Sequence, residues 1–307
     1  DAWLGMHIEF RVCEMPIFVS TEFRKTLETA TTDILRQCVS ASVMEATASA
    51  IAPDVAVPRE SPSPLLAVVD FAVTVDETGA YVPKLIELQG FPSLYGYQYL
   101  FASRMREQYG LLDTTPFFSG LDDEHYVRLM RTALLADHSP DECALIEVDP
   151  MHQKTLPDFI ATERLFGLRT VDIRDIRKRG NALYDAEGRR LRRVFNRAIV
   201  DELTDLGTTL DFAWTDDLDV EWAGHPNWYF RISKFTMPFL SHPTVPKARL
   251  LDAWDSVPDN LDAYVLKPLY AFAGKGVNVH PTMADIAAIP EADRHGWMLQ
   301  EKVRYAD

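Results

Sequence analysis

The chain has 307 residues, of which 47% are hydrophobic and 25% charged, so it can bury the core of one large α/β unit or of two to three small lobes. Its formal net charge of -15 argues against nucleic acid and against anionic membrane surfaces as partners. An anionic small molecule stays compatible with this charge, because its site needs only a local cluster of lysines or glycine amides.

The cysteines Cys13, Cys38 and Cys143 are far apart and show no metal-site spacing. We therefore expect free, buried thiols in a reducing cytoplasm. There is no apolar run long enough to span a membrane and no basic-then-apolar leader, so we expect a cytoplasmic protein that does not bind membranes.

Helical periodicity predicts a helix or helix pair over 20–50, with Thr21 as its cap, and the proline-rich stretch 52–64 predicts a loop. The apolar runs LLAVVDFAVTV and AYVPKLIELQG flank the turn sequence DETG, which is typical of a β-hairpin. A helical pattern returns at 95–109 and at 122–136.

Strand and helix patterns alternate in the second half of the chain. A buried strand at 144–150 precedes a helix and a short strand, RTVDIRDI, which indicates a small α/β lobe. A second hairpin is predicted for ALYDAEGRRLRRVFNR with DAEG as its turn, and 207–233 looks irregular. Strands are predicted at 263–269, at VNVHP and at 296–303, a tight loop at 272–276, and a short helix at ADIAAI.

The first hairpin is unusually acidic. If Thr78 and Gly79 form a two-residue turn, Asp70 lies opposite Glu87, and Gln89 shares the face of Glu87. Opposed carboxylates among apolar neighbours repel each other, and a divalent cation would offset that repulsion. Carboxylate and amide oxygens are the ligands that Mg²⁺ prefers.

Two other interpretations of this hairpin stay open. Asp70 and Glu87 could pair with lysines or arginines on a solvated face. A four-residue loop would instead place Glu87 diagonal to Asp70, still close enough to share one ion.

The segment YVLKPLYAFAGKGV places a lysine in an apolar strand. Lys267 needs an anionic partner there, because a buried ammonium group is unfavourable alone. Gly274 and Gly276 would let backbone N–H groups approach a phosphate, and Lys275 would add charge. Such a loop is also common as a plain turn.

The strand WMLQEKV ends in polar groups. The end of such a strand can offer backbone donors and acceptors to a flat heterocycle such as adenine. An edge strand guarded by charged residues is the alternative interpretation.

Together these segments resemble the circularly permuted branch of the ATP-grasp superfamily that includes glutathionylspermidine synthetase, in which the metal-binding strands precede the nucleotide lysines. The resemblance implies an α/β (α+β) ATP-grasp fold, with two α+β lobes that clasp a nucleotide and a small α/β lobe. On this likeness, DFAV and KLIELQGFPSL carry the magnesium ligands Asp70, Glu87 and Gln89.

The same resemblance implies the nucleotide site. RISKFTMPFL is similar to the segment with the first ATP lysine, and VLKPLYAFAGKGV to the segment with the second lysine and the phosphate-covering loop, 272–276. WMLQEKV resembles the adenine hinge, and VFNRAIVDEL resembles a segment that faces the cleft. The residues implied are Lys234, Lys267, Gly274, Lys275, Gly276, Gln300, Glu301, Val303, Arg197 and Glu202.

Three consecutive segments follow from this assignment. Residues 1–140 would carry the metal-binding hairpin, 141–206 the small α/β lobe, and 207–307 the nucleotide-binding lobe with its lysines, loop and hinge.

The resemblance implies an ADP-forming ligase that requires ATP and Mg²⁺. Such an enzyme converts a small-molecule carboxylate to an acyl phosphate, which an amine or similar nucleophile attacks. Arg197 and Lys275 are the expected catalytic residues, Arg197 orienting the carboxylate and Lys275 lying in the closing loop.

The chain departs from the family pattern in the phosphate loop, which lacks the family's Arg-Glu pair but has Lys275, and at two positions of the hairpin. Gln89 replaces the family's asparagine, and Val68 stands where an arginine is expected. These departures leave two alternatives: a catalytically inactive ATP-binding regulatory module, or an interaction protein without a nucleotide that uses the acidic, Trp-rich stretch 211–230.

Overall fold

The computed structural model describes residues 3–91, 93–270 and 274–306. It is a mixed α+β structure with several small sheets, and its chain divides into two units. Unit 1 comprises Asp1–Phe18, Ala52–Leu65 and Pro92–Pro226, and unit 2 comprises Val19–Ile51, Leu66–Phe91 and Asn227–Asp307. The division into three consecutive segments stays a prediction.

A helix pair opens unit 2, as predicted. Helix α1 (Thr21–Cys38) is capped by Ser20, whose hydroxyl accepts a hydrogen bond from Phe23 N at 3.1 Å. The predicted cap, Thr21, is wrong by one residue: Ser20 has the extended backbone that a cap requires, and Thr21 is already helical. Helix α2 (Ala41–Ala46) follows with Ser40 as its cap.

The acidic hairpin consists of strands β1 (Val68–Val75) and β2 (Tyr81–Gln89), and Asp70 pairs with Glu87 as predicted. The predicted two-residue turn is wrong. Asp76 Oδ1 instead accepts from Thr78 N and Ala80 N at 2.8 and 3.0 Å, which builds a longer turn. A bulge between Asp70 and Phe71 offsets the extra turn residue and restores the pairing.

Unit 1 contains a four-stranded parallel sheet and a small antiparallel sheet. The strands of the parallel sheet are β3 (Cys143–Glu147), β4 (Thr170–Asp172), β8 (Arg193–Asn196) and β9 (Glu221–Trp222). They have the order β4-β3-β8-β9, so β4 and β8 lie on opposite sides of β3. The antiparallel strands are β5 (Arg177–Arg179), β6 (Ala182–Tyr184) and β7 (Arg190–Leu191).

Three helices of unit 1 confirm the helical patterns predicted for this region: α3 (Tyr95–Tyr109), α4 (Asp123–Leu135) and α5 (Leu156–Phe166). The short helix α6 (Val200–Asp205) was not predicted. The second predicted hairpin is confirmed only for β6 and β7. The sequence RVFN, predicted to belong to this hairpin, instead forms β8 of the parallel sheet, where its four residues are all buried.

The last part of unit 2 is an antiparallel sheet of order β10-β12-β11. Its strands are β10 (Ala248–Leu250), β11 (Tyr264–Pro268) and β12 (Trp297–Glu301), and its short helices are α7 (Trp228–Arg231) and α8 (Met283–Ala287). Among the described residues, the strand predicted at VNVHP is reduced to one bridge between Asn278 and Leu266. Strands 263–269 and 296–303 and the helix at ADIAAI are confirmed.

The core of unit 2 joins the hairpin to the antiparallel sheet. Ile34 of α1, Leu85 and Leu88 of β2, Trp228 of α7 and Met298 of β12 pack together, each almost fully buried. This packing fixes β2, which carries Glu87 and Gln89, beside α7 and beside β12, which carries Gln300 and Glu301.

The three cysteines are free, but only two of them are buried. Cys38 and Cys143 lie in the interior, whereas Cys13 is exposed because its N-terminal segment forms neither helix nor strand. No helix in the part of the chain that the structure describes has both the length and the apolar composition needed to cross a bilayer.

Candidate functional site

The hairpin carboxylates are held together by a glutamine amide. Gln89 Nε2 donates to Asp70 Oδ2 at 2.9 Å and to Glu87 Oε1 at 3.1 Å. Burial, and then the neighbouring charge of Glu87, raise the pKa of Asp70, while the hydrogen bond from Gln89 and the charge of Lys234 act in the opposite direction. The pair is therefore an electrostatically unfavourable anionic site that gains from a cation.

Glu87 does contact a lysine, but not on a solvated surface. Lys234 Nζ lies 3.3 Å from Glu87 Oε2, and Lys234 is only 7% exposed. Lys234 opens a 3₁₀ helix (Lys234–Phe239) whose cap, Ser233, accepts from Phe235 N at 3.2 Å. The local capping thus places this ammonium group in the interior.

The carboxylates could supply part of a magnesium site. Mg²⁺ is commonly bound by one or two carboxylates together with substrate phosphates and water. Rotating the side-chain amide of Gln89 by a half turn would present its oxygen instead of its nitrogen to such an ion. Within residues 3–91, 93–270 and 274–306, no group of three or more His, Cys, Asp or Glu side chains could hold a metal by itself.

A second buried lysine lies on β11. Lys267 is 7% exposed, and its Nζ donates to the carbonyl oxygen of Ile86 at 3.0 Å. Burial lowers the pKa of Lys267 to about 8, with a further decrease from the charge of Lys234 and a partial increase from Glu87. The hydrogen bond to Ile86 O and the charge of Glu87 therefore do not fully offset the cost of removing water from this ammonium group.

The two lysines and the predicted hinge line one cavity in unit 2, of about 420 Å³. Gln300 is 2% exposed, and its Nε2 donates to Leu85 O at 3.4 Å. The Glu301 carboxylate accepts from Lys247 N at 3.1 Å. The predicted residues that line this cavity are Glu87, Lys234, Lys267, Gly274, Gln300, Glu301 and Val303.

Part of the predicted phosphate loop falls within the described residues. Gly274 and Gly276 have φ of +72° and +74°, a backbone conformation that glycine adopts without strain. Val277 N donates to Gly274 O at 3.1 Å, which forms a turn, and Lys275 is exposed. Residues 272 and 273 of the predicted loop lie outside the described residues.

Arg197 lies in unit 1, whereas the other predicted catalytic, nucleotide and metal residues lie in unit 2. It follows β8, and its backbone N donates to Ile146 O at 2.8 Å. Burial lowers the pKa of Arg197, while the charges of Glu147 and Asp158 act in the opposite direction. The sheet order makes the carboxyl ends of β3 and β8 a crevice of the type in which parallel sheets bind ligands.

The carboxylates around Arg197 are not predicted by any motif of the sequence. Asp158 Oδ2 accepts from Leu94 N at 3.0 Å and Oδ1 from Tyr97 N at 2.9 Å, so it caps α3 from another helix. Glu147 ends β3, and burial raises its pKa to about 7. The one available signal is a carboxylate at the end of an apolar strand, ALIE.

Glu202, the other residue implied by the VFNRAIVDEL segment, also lies in unit 1. Its Oε1 accepts from Gln153 Nε2 at 3.0 Å, and Gln153 Nε2 also donates to Val148 O at 2.9 Å. These contacts connect α6 to the loop that follows β3.

We expect the stability of the wild-type protein to fall between pH 5 and pH 8 relative to that of Glu147→Gln. The raised pKa means that folded Glu147 retains its proton up to about pH 7, whereas the unfolded carboxyl ionises near its ordinary pKa of 4.5. Its contribution is therefore complete below pH 4.5 and is lost as pH rises through 7.

The difference in the free energy of unfolding between the wild type and Glu147→Gln should change by about 1–3 kcal/mol across this pH range. Urea unfolding at each pH measures this difference. A difference that stays constant with pH would contradict a raised pKa at Glu147.

We compared the chain with known proteins by sequence and by structure. No protein-family model matches the chain, and no curated protein matches it in sequence. Among solved structures, a glutathione synthetase-like effector from Globodera pallida, determined in the apo form, superposes with a TM-score of 0.58 at 14% identity. The match covers 94% of this chain and 73% of that chain.

The chain has a glutathione synthetase-like fold. At this identity the similarity concerns the fold alone. Within that fold, three elements line one cavity with charged groups: the acidic hairpin with Glu87, β11 with Lys267, and the 3₁₀ helix Lys234–Phe239 with Lys234.

Proposed function

We propose that the protein is an ATP- and Mg²⁺-dependent ligase of the circularly permuted ATP-grasp type, which joins a small-molecule carboxylate to an amine or a similar nucleophile through an acyl phosphate. The observation that carries this proposal is the cavity that Lys234 and Lys267 share with Glu87 and the β12 hinge. The glutathione synthetase-like fold supports it, as does the order of the motifs along the chain.

The lysines fit a polyphosphate. Two ammonium groups, each 7% exposed, line the cavity of a chain with a net charge of -15, and the lowered pKa of Lys267 indicates that its charge is incompletely compensated. Phosphate oxygens would complete this compensation. Lys234 and Lys267 would then hold the phosphates, and the glycine amides of 274 and 276 would approach them.

The hairpin fits the accompanying metal ion. Asp70 and Glu87 would hold Mg²⁺, and Gln89 would contribute its amide oxygen after rotation. The ion would remove the repulsion between the two carboxylates and draw the nucleotide phosphates towards them.

The hinge fits a nucleobase. The Gln300 side chain and the backbone of Glu301 and Val303, where β12 ends, would provide donors and acceptors beside an apolar surface. Val265, Val277 and Val279 contribute that apolar surface.

Bound ATP would supply a transferable γ-phosphoryl group. A carboxylate oxygen of the substrate bonds to the γ-phosphorus as the bond to the β,γ-bridging oxygen breaks, and ADP leaves with the electron pair. Lys275 would add positive charge to the phosphate loop. Arg197 lies in unit 1 and stays a predicted catalytic residue.

A regulatory module that binds ATP without turnover is the second candidate. The hydrogen bonds that Gln89 donates to both carboxylates favour it, because they offset part of the repulsion between the carboxylates without a metal. Turnover in the presence of substrates separates this candidate from the ligase.

We expect Mg-ATP to raise the thermal stability of the wild-type protein, by about 2.7 kcal/mol at a ligand concentration of 100 times Kd. Glu87→Gln should lose the dependence on magnesium, and Lys267→Ala should lose most of the stabilisation. Lys25→Ala, an exposed lysine on α1 of the same unit, serves as the matched control and should behave as wild type.

ADP release in the presence of candidate carboxylates and amines then tests catalysis. Stabilisation without ADP release from any pair would favour the regulatory module. The absence of any stabilisation would contradict a nucleotide site and favour the interaction protein.

A further inference from the structure

The hairpin carboxylates already have partners among the side chains of the protein itself. Gln89 Nε2 donates to Asp70 Oδ2 and to Glu87 Oε1, and Lys234 Nζ lies 3.3 Å from Glu87 Oε2. Both oxygens of Glu87 are therefore engaged, one by an amide and one by an ammonium group. The charge of Lys234 also opposes the raised pKa of Asp70, so this ammonium group acts on both carboxylates.

The ion pair between Lys234 and Glu87 borders two cavities of unit 2. Both residues line the nucleotide cavity of about 420 Å³. They also line a narrower cavity of about 40 Å³, a cleft whose aromatic walls are Phe91, Tyr229 and Tyr270. Because a lysine side chain is long and flexible, Lys234 can exchange one partner beside a cavity for another without a movement of the backbone.

A divalent cation that arrives alone meets two obstacles at the hairpin. Lys234 repels it, because a positive charge already lies 3.3 Å from an oxygen of Glu87 that the ion would bind. The amide of Gln89 presents its N–H group to both carboxylates, and this group repels a cation as well. Binding would also take Glu87 away from Lys234, which is only 7% exposed, and separating a buried ion pair is strongly unfavourable.

Phosphates would remove the first of these obstacles. Lys234 and Lys267 line the same cavity, and the charge of Lys234 lowers the pKa of Lys267, so the two ammonium groups repel each other. Phosphate oxygens that bind both lysines would offset this repulsion and give Lys234 a new anionic partner. Glu87 would then turn to the metal ion. The nucleotide and the metal ion therefore each improve the site for the other, which is positive coupling between two ligands.

We propose that Lys234 is the resident counter-ion of Asp70 and Glu87, and that it excludes a divalent cation from the hairpin until a nucleotide binds. This inference rests on the proposed nucleotide site and specifies its regulation, because the metal ion enters only together with the nucleotide. The alternative is a permanent ion pair between Lys234 and Glu87, which stays intact when ligands bind.

Binding of Mn²⁺ to the nucleotide-free protein tests this proposal. Mn²⁺ takes the same oxygen ligands as Mg²⁺, and electron paramagnetic resonance measures the concentration of the unbound ion. We expect Lys234→Met, which removes the charge but keeps an unbranched side chain, to bind Mn²⁺ about ten times more tightly than the wild type does. Adding Glu87→Gln to this variant should abolish the gain, which assigns the ion to the hairpin.

Lys84→Met is the matched control. Lys84 lies on β2, as Glu87 does, but its Nζ donates to Pro243 O at 2.8 Å. This variant changes the net charge of the protein by the same amount and should bind Mn²⁺ as weakly as the wild type does. An equal gain in both lysine variants would show a general effect of net charge and would overturn the proposal. Equal affinities of Lys234→Met and the wild type would overturn it as well.

Crystals of the wild-type protein provide a test that does not depend on the folding of a variant. In crystals soaked with MnCl₂ alone, we expect no anomalous scattering peak between Asp70 and Glu87. With MnCl₂ and ADP, we expect such a peak, and we expect Lys234 to contact a phosphate oxygen instead of Glu87. A peak with MnCl₂ alone would overturn the proposal, as would an intact contact between Lys234 and Glu87 in the crystals with ADP.

The failure of this proposal and the failure of the proposed function have different signatures. If Mg-ATP stabilises the wild type but Lys234→Met shows no gain in affinity for Mn²⁺, the role of Lys234 is wrong and the nucleotide site stands. If Mg-ATP does not stabilise the wild type and no ADP is bound in the soaked crystals, the proposed function fails, and the regulation of its metal site fails with it.

Discussion

Gly90→Ala is expected to lower the stability of unit 2 by about 3 kcal/mol or more, the upper end of the effect of overpacking a well-ordered core. A Cβ atom at Gly90 would lie far inside contact distance of the backbone oxygen of Trp228 and 2.8 Å from Ile232 Cβ. The obstacle is backbone, which cannot rotate away as a side chain can. The change would separate β2, which carries Glu87 and Gln89, from α7 and the segment leading to Lys234.

Urea unfolding measures this effect, with Gly296→Ala as the matched control. Gly296 also lies in unit 2, its φ is not positive, and a Cβ atom there would meet nothing within 4 Å. The control should differ from wild type by less than about 1 kcal/mol. Equal stabilities of the two variants would contradict the close packing of Gly90. Wild-type affinity of Gly90→Ala for Mg-ATP would contradict its role in joining β2 to the segment that leads to Lys234.

The affinity for Mg-ATP should fall as pH rises above about 8, by up to tenfold per pH unit. Free Lys267 loses its proton near this pH, because burial lowers its pKa to about 8. Bound phosphates favour the charged form and raise that pKa, so binding above pH 8 must take up a proton. Below pH 8 the lysine is charged in both states, and the affinity should be nearly constant.

Lys267→Arg provides a sharp test, because a guanidinium group keeps its charge throughout this range. If this variant binds Mg-ATP at pH 7, its affinity should stay flat up to pH 9.5. Lys25→Arg, on the exposed face of α1, should keep the wild-type profile. Equilibrium titration at each pH gives the dissociation constants, and a wild-type affinity that does not change above pH 8 would contradict the assignment.

The stability of the unliganded protein should change with pH in the direction opposite to that of the Mg-ATP affinity. Lys267 has a lower pKa in the folded protein than the ordinary lysine value of 10.5, so the unfolded chain binds more protons between pH 8 and 10.5. Its contribution to stability therefore increases over this interval.

The placement of Asp70 opposite Glu87 could be predicted from strand alternation and from the turn residues between the two apolar runs. The turn and the strand register that produce this pairing could not be predicted. A longer turn held by the Asp76 carboxylate shifts the register in one direction, and a bulge that leaves Ile86 unpaired shifts it back. The position of the bulge is not specified by local composition. The agreement in pairing thus arises from two compensating differences.

Lys267 could be recognised because an ammonium group in an apolar strand requires a partner. Its actual contact, the Ile86 carbonyl, belongs to a strand far away in the sequence. The ion pair between Lys234 and Glu87 and the cleft formed by Phe91, Tyr229 and Tyr270 also depend on β2 lying beside the segments that follow Pro226.

By itself, the sequence determined the local elements of this protein: the helix pair, the acidic hairpin, the lysine strand and the hinge strand. These follow from periodicity, turn residues and the cost of burying charge, which act between near neighbours in the chain. Only the tertiary structure decided that β8 leaves its hairpin for the parallel sheet, that Arg197 lies with Glu147 and Asp158 in unit 1, and that two distant lysines share a cavity with Glu87. The physical reason is that long-range packing of apolar faces selects which strands become neighbours, and the charged groups on those strands then meet as a consequence.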